Sequence, residues 1–291
     1  MKGIILVGGV GSRLFPSTLT ISKQLLPIYD KPMIYYPLSI LMLAKIQEIL
    51  IITTERDINN FKNLFSNGKS LGLNIDYMIQ EEPEGIPQAF ILGKEFIGHD
   101  SVCLVLGDNI LYGDGLISLL ENSKRFVQSE KKAKIFGYKV SNPEDFGVLE
   151  LDSQNNVISI EEKPSKPKSK IASIGLYFYP NNVIGEAEKL NKSKRGELEI
   201  TSLNKLYLKN SNLHSEILGR GYAWLDTGTP ESLLSASEFV KTIEKRQGYK
   251  IACIEEISFK NGWINEDQLK KIAHSMNNSE YGQYVLSVPD E

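Results

Sequence analysis

The chain has 291 residues, 41% hydrophobic and 24% charged, with a net charge of −3. That length suits one large α/β domain or two smaller ones with a full core, and the negative balance leaves no global basic field to hold nucleic acid. Cys103 and Cys253 fit neither a disulfide framework nor a metal pattern. No apolar run approaches the roughly 18 residues of a membrane span, and with a first strand starting at residue 3 a cytoplasmic protein is expected.

Residues 4–7, Ile-Ile-Leu-Val, form a short apolar run bounded by glycine and read as a buried parallel strand. Gly8-Gly9-Val10-Gly11-Ser12-Arg13 follows at its carboxyl end. Glycines there let the backbone turn sharply and approach a ligand, and the N–H groups of such a loop favour anionic oxygens. Arg13 and Lys23 add two positive charges. After a polar segment at 17–30, residues 32–47 are apolar on most faces, as in a packed helix. Strands are expected at 49–54, 75–80 and 102–106. Between them lie a helix at 57–65 with Asp57 as its N-cap and a helix opened by Pro87. This alternation predicts a parallel sheet with crossover helices.

The second half predicts a helix at 113–130, a strand at 133–140 and a hairpin of 146–151 with 157–160 around Asn155-Asn156. Then come a strand at 172–179, helices at 186–191 and 199–209, short strands at 214–218 and 222–226, and a long helix at 230–246. The tail holds one polar helix at 266–276. The run PSKPKSK at 164–170 reads as a surface loop rather than a domain boundary.

The glycine loop matches neither common phosphate cradle. No Gly-Lys-Ser/Thr follows Gly8 at Walker spacing, and Gly9-Val10-Gly11-Ser12-Arg13-Leu14 fails the dinucleotide fingerprint at its last position. A turn without chemical role is the plain alternative, but the strand before it and Arg13 after it favour phosphate handling. Asp108 follows a strand at its carboxyl end, where open α/β sheets bind ligands. A carboxylate there suits a hard cation such as Mg²⁺ or simply begins a turn. Asp226, in Trp224-Leu225-Asp226-Thr227-Gly228-Thr229-Pro230, has the same profile, and the two could share a metal. Glu161-Glu162-Lys163-Pro164 is either a solvated charge run or a sugar-phosphate clamp, and Arg195-Gly196-Glu197-Leu198-Glu199 is either a second clamp or a helix start. His99, His214 and His274 have no partner pattern and read as structural or surface residues.

These blocks, with the spacing of Arg13 and Lys23 and with FGVLE, GLYFY, RGELEIT, GRGYAWLDTGT, EEI and GQY (282–284), closely resemble the sugar-1-phosphate nucleotidylyltransferases over nearly the whole chain. Within that family they are most similar to the branch that joins dTTP to glucose 1-phosphate. The resemblance implies an α/β fold: a single Rossmann-like nucleotidyltransferase domain with a mixed, mostly parallel central sheet and a small helical C-terminal part. The core would span 1–240, with nucleotide binding in about 1–110 and sugar-phosphate binding in about 111–240, and residues 241–291 would be a helical extension. It implies that Leu6, Gly8, Gly9 and Asp108 line the nucleotide, and that Gln80 and Gly85 read the thymine. Arg13 and Lys23 would be catalytic, and Asp108 and Asp226 would carry Mg²⁺. Gly147, Glu162, Lys163, Tyr177, Arg195 and Trp224 would form the sugar-phosphate side.

It further implies a homotetramer, feedback by a dTDP-sugar at a second site with Arg220, Glu255 and Glu256 in the regulatory region, and no nucleic-acid or membrane partner. The product would feed dTDP-rhamnose or related deoxysugar synthesis. Two places depart from the usual pattern: Ile86-Pro87, and Ser173-Ile174 beside the expected sugar pocket. Ser173 bears on which hexose is used. The alternatives are a uridylyl- or cytidylyltransferase on another hexose 1-phosphate, and a non-catalytic nucleotide-sugar sensor. The sensor should have lost Arg13, Lys23 or an aspartate, and all are present. A nicotinamide dehydrogenase is disfavoured by the failed fingerprint.

Overall fold

Strands that are apolar on both sides need cover on both sides, and helices from both halves of the chain supply it. In the computed structural model, which describes residues 1–290, the strands are β1 (Lys2–Leu6), β2 (Pro27–Ile28), β3 (Lys31–Pro32), β4 (Glu48–Thr53), β5 (Asn74–Ile79), β6 (Val102–Leu106), β7 (Asn109–Gly113), β8 (Ala133–Lys139), β9 (Gly147–Leu151), β10 (Val157–Glu162), β11 (Ile171–Tyr179), β12 (Leu213–Leu218) and β13 (Tyr222–Asp226). The helices are α1 (Tyr35–Leu43), α2 (Ile58–Phe65), α3 (Gln88–Leu92), α4 (Lys94–Ile97), α5 (Leu116–Glu130), α6 (Val183–Glu188), α7 (Ile200–Lys209), α8 (Pro230–Gln247), α9 (Ile254–Lys260), α10 (Glu266–His274) and α11 (Glu280–Ser287).

Nine strands make one mixed sheet. Its parallel half runs β6-β1-β4-β5. β11 then joins antiparallel to β6, and carries β8 with parallel β12 on one side and the β9–β10 hairpin on the other. Period two sorts the side chains into two cores. Ile5, Ile49, Ile51, Cys103 and Val105 pack on one face with α1 and α5. Ile4, Leu50, Ile52, Val102 and Leu104 pack on the other with α3, α6 and α7. β7 and β13 stand apart as a two-stranded ribbon in which Asp226 lies opposite Asn109.

Three expectations change. The helix expected from residue 113 begins at Leu116, and residues 109–113, for which no element is expected before Gly113, form strand β7. The tail holds three helices, not one, and they bury a small core of their own around Cys253, Leu269, Tyr281 and Val285. Asp57 precedes α2 but makes no cap bond. Its carboxylate instead accepts from Ser22 N (3.0 Å), Thr54 Oγ1 (3.0 Å) and Arg56 Nη2 (2.8 Å), anchoring the segment that carries Lys23.

Candidate active site

The carboxyl ends of β1 and β6 deliver the glycine loop and Asp108 to one edge of the sheet, as a parallel sheet must. Gly9 and Gly11 sit at φ +102° and +66°, conformations open to glycine at little cost. The loop between β13 and α8 closes over the same edge. Thr227 is fully buried there, and its N–H and hydroxyl both donate to the Asp108 carbonyl, at 3.1 and 2.8 Å. Thr229 and Ser232 form a capping box that starts α8, with Pro230 at the first helical position.

A cleft of about 720 Å³ opens between this edge and the β9–β10–β11 side. Arg13, Gly85, Asp108 and Asp226 line it, as do Gly147, Glu162, Lys163, Tyr177, Arg195 and Trp224. Lys23 reaches the site through Asp108, to which its ammonium is bonded. Leu6, Gly8, Gly9 and Gln80 are not on the wall of this cleft. Leu6, Gly8 and Gln80 make an adjoining corner in which a Cβ on Gly8 would stand 2.1 Å from Gln80 Oε1, and Gly9 follows with open space around it. Buried Gln80 is fixed in turn by Gln88 (2.6 Å), whose side-chain oxygen also takes the Glu84 N–H (3.0 Å). Gly85, at φ +113°, lies so close to Leu198 that an added Cβ would be 2.1 Å from the Leu198 carbonyl oxygen. This contact joins the two sides of the cleft.

The charges are arranged in opposition. Burial would raise Asp108, but Lys23 and the Asn109 amide (3.0 Å) outweigh it and hold the carboxyl below its usual range. Burial and the charge of Asp108 push Asp226 up to about 6, against Lys23, Arg13 and Lys163. Two carboxylates thus crowd one place, and a divalent cation between them would relieve the repulsion. Among the described residues no third acidic, His or Cys group joins them. That suits a metal held by two carboxylates and completed by water and substrate phosphates. The Arg13 guanidinium packs on Gly228, with 2.8 Å to where a Cβ would be. Lys163, just past β10, has φ +41°, an uncommon conformation for a lysine and one that recurs at functional sites. Arg195 is half exposed and ringed by Glu197 (3.2 Å), Glu199 (3.5 Å) and Glu162 (3.6 Å).

Sequence reasoning passed over two residues that organise the site. Asn109 Oδ1 accepts from Gly175 N (2.9 Å) and Trp224 Nε1 (2.7 Å), while its amide holds Asp108. The signal was present in the Gly-Asp-Asn triplet. Thr201, at the start of α7, donates to Glu162 and has no local signature. None of the three histidines lines the cleft.

The fold and cleft together define a nucleotide-handling α/β protein, with cationic groups and paired carboxylates at the mouth of a mixed sheet. The model of the nucleotidyl transferase family matches residues 2–243, and the chain belongs to that family. Among its relatives, a glucose-1-phosphate thymidylyltransferase of Neisseria meningitidis is 53% identical over 98% of both chains. One of Mycobacterium tuberculosis is 52% identical over 99% of both. A solved Bacillus anthracis structure, assigned to the same enzyme and holding sucrose, superposes with a TM-score of 0.75 at 38% identity, over 82% of this chain and 94% of that one. A UDP-glucose pyrophosphorylase with UDP-glucose, 22% identical at a TM-score of 0.74, shares the fold.

Proposed function

We propose that this protein transfers a thymidylyl group from dTTP to α-D-glucose 1-phosphate, giving dTDP-glucose and pyrophosphate for deoxysugar synthesis. The observation that carries the reading is the convergence of Arg13, Lys23 and Lys163 on the Asp108–Asp226 pair, in a chain aligned end to end with thymidylyltransferases. The sugar phosphate oxygen attacks the α-phosphorus of dTTP, and the bond to pyrophosphate breaks in line. That nucleophile is already anionic, so no general base is required. The difficulty is to hold two polyanions in contact, which positioning and fixed cations accomplish.

In this reading Arg13 and Lys23 hold the triphosphate and neutralise the departing pyrophosphate. Leu6, Gly8 and Gly9 support the nucleotide, and Gln80 and Gly85 contact the base. Gly147, Glu162, Lys163, Tyr177, Arg195 and Trp224 take the glucose 1-phosphate. Residues 1–110 then serve the nucleotide, 111–240 the sugar phosphate, and 241–291 the small extension. Asp108 and Asp226 would hold Mg²⁺, which supplies charge neutralisation at the phosphates when bound.

A homotetramer with feedback by a dTDP-sugar completes the reading. A second cavity of about 580 Å³, lined by Glu256 and the 113–118 segment, supports a regulatory site. Glu255 is buried and bonded to Tyr281 (2.6 Å), and neither Glu255 nor Arg220 lines this cavity. No described helix is long and apolar enough to cross a membrane, and we place the enzyme in the cytoplasm. The test is pyrophosphate release from glucose 1-phosphate and Mg²⁺ with each NTP and dNTP in turn. dTTP should be the best donor, and no release with any of them would overturn the proposal.

A further inference from the structure

Among the described residues only two shielded side-chain oxygens make no hydrogen bond, Thr53 Oγ1 and Ser173 Oγ. Their settings differ. Thr53 ends β4, is fully buried and is not on the wall of the cleft, so its orphan hydroxyl has no route to a ligand. Ser173 is part of the cleft wall. It sits on β11 where the register with β8 slips, so the strand is distorted at this point. Across from it lies Gly147, where a Cβ would stand 4.0 Å from Ser173 Cβ and 3.4 Å from Glu162 Oε2. Glu162 is in turn held by the Thr201 hydroxyl. The phenol of Tyr177, four residues along β11, is the polar group that interacts with the Ser173 hydroxyl, but only weakly, since no partner lies within full hydrogen-bond geometry of Ser173 Oγ.

A hydroxyl left unpaired beside a polar cleft is disfavoured in the free protein unless a ligand completes it. Serine has a single side-chain torsion, so one step between staggered rotamers redirects its oxygen without moving the backbone. We propose that Ser173 is a sugar-specificity residue: on binding of the hexose 1-phosphate its hydroxyl turns into the cleft and pairs with one ring hydroxyl, next to the edge held by Glu162. This rests on the sugar-phosphate reading of the cleft and adds to it a chain-specific contact that selects among hexoses. A site built to hydrogen-bond a substrate hydroxyl penalises the analogue that lacks it.

The experiment compares the wild type with Ser173→Ala, Ser173→Val and Ser173→Thr. Substrates are glucose 1-phosphate and its 2-, 3-, 4- and 6-deoxy analogues with saturating dTTP. Ser173→Ala and Ser173→Val should raise KM for glucose 1-phosphate about tenfold, with kcat and the KM for dTTP within about twofold, and Ser173→Thr, which keeps the hydroxyl, should restore most of the loss. For one deoxy analogue the wild type should already show the raised KM, and the Ala variant should add nothing to it. That analogue names the partner hydroxyl. An unchanged KM in both hydroxyl-free variants would overturn the proposal, as would an equal rise for every sugar, which would mark Ser173 as a packing partner of Tyr177. No turnover by the wild type with any hexose 1-phosphate would instead overturn the sugar-phosphate reading.

Discussion

Arg13 depends on a residue 215 positions away. Its guanidinium lies against Gly228, and a methyl group there would meet Nη2 at 2.8 Å. The φ of Gly228 is unexceptional, so Gly228→Ala carries no backbone penalty; it moves the end of a flexible side chain. Gly228→Ala should therefore lower kcat about 10–100-fold while shifting the melting temperature by no more than a few degrees. Arg13→Ala removes the cation altogether and should cost ~2.7–4 kcal/mol of barrier, about 10²–10³ in kcat. Steady-state kinetics and a thermal melt on both variants test this. Normal kcat in Gly228→Ala would mean that Arg13 works from another position. Residues of this kind divide what sequence could reveal. The glycine loop, Arg13 and the two aspartates announce themselves by sitting at strand ends. Gly228 and Asp57 act through partners distant in the chain, and the local pattern that suggested an N-cap at Asp57 carries no trace of Ser22.

At the level of elements, the long periodic segments were legible and the short paired ones were not. β7 is five residues with a turn on either side, and it is a strand only because β13, about 110 residues on, lies beside it. The tail looked like one polar helix because α9 gains its apolar contacts from α1 and α10, and α11 gains its own from α10. α1 itself is apolar nearly all round, since it is sandwiched between the sheet and these helices.

A buried ion network fastens the end of α8 to the β2–β3 turn. Lys31 pairs with Asp30 and with Glu244 (2.9 Å), and Lys250 pairs with Asp30 and with Glu244 (3.1 Å), while Glu244 also takes the Ile251 N–H (2.9 Å). Both Lys31 and Glu244 are all but inaccessible to water. Glu244→Ala leaves two lysines facing one carboxylate and should cost about 3–5 kcal/mol of stability. The sign of its pH dependence follows from two shifts. Asp30 is pushed up by burial but pulled further down by Lys31 and Lys250, to below 3.8, so its contribution is present above that value and is lost as pH falls through the lowered one. Lys250 is lowered by burial but raised further by Asp30 and Glu244, above 10.5, so its contribution holds below that value and fades as pH rises past the raised one. Urea unfolding from pH 3 to 11 should show both shoulders in the wild type and weaker ones in Glu244→Ala. Identical profiles would show that the network contributes nothing net.

At the scale of the whole molecule the cleft is a meeting of two halves, and its chemistry is absent from either alone. The sequence marked strand ends in both halves, but only the sheet order β9-β11-β6-β1 and the β7–β13 ribbon bring Asp108, Asp226 and Lys163 to one place. That assembly bears directly on metal affinity. Asp108 is already paired with Lys23, and the described residues add no third acidic ligand. Mg²⁺ dehydrates reluctantly and binds two-carboxylate sites weakly unless substrate phosphates complete its shell. The free enzyme should therefore take up Mg²⁺ poorly, and nucleotide and metal should bind together. With dTTP at about 100 times its Kd, a ligand specific for the folded state adds ~2.7 kcal/mol, worth about 4–5 °C in melting temperature for a chain of this length. Mg²⁺ alone should shift the melt by less than about 1 °C, dTTP with a chelator by a small part of the full effect, and the two together by the whole of it. In Asp226→Asn the combined shift should fall toward that of dTTP alone, with the unliganded melt close to wild type. A full shift from Mg²⁺ without nucleotide would mean that the protein holds the metal with ligands beyond this pair.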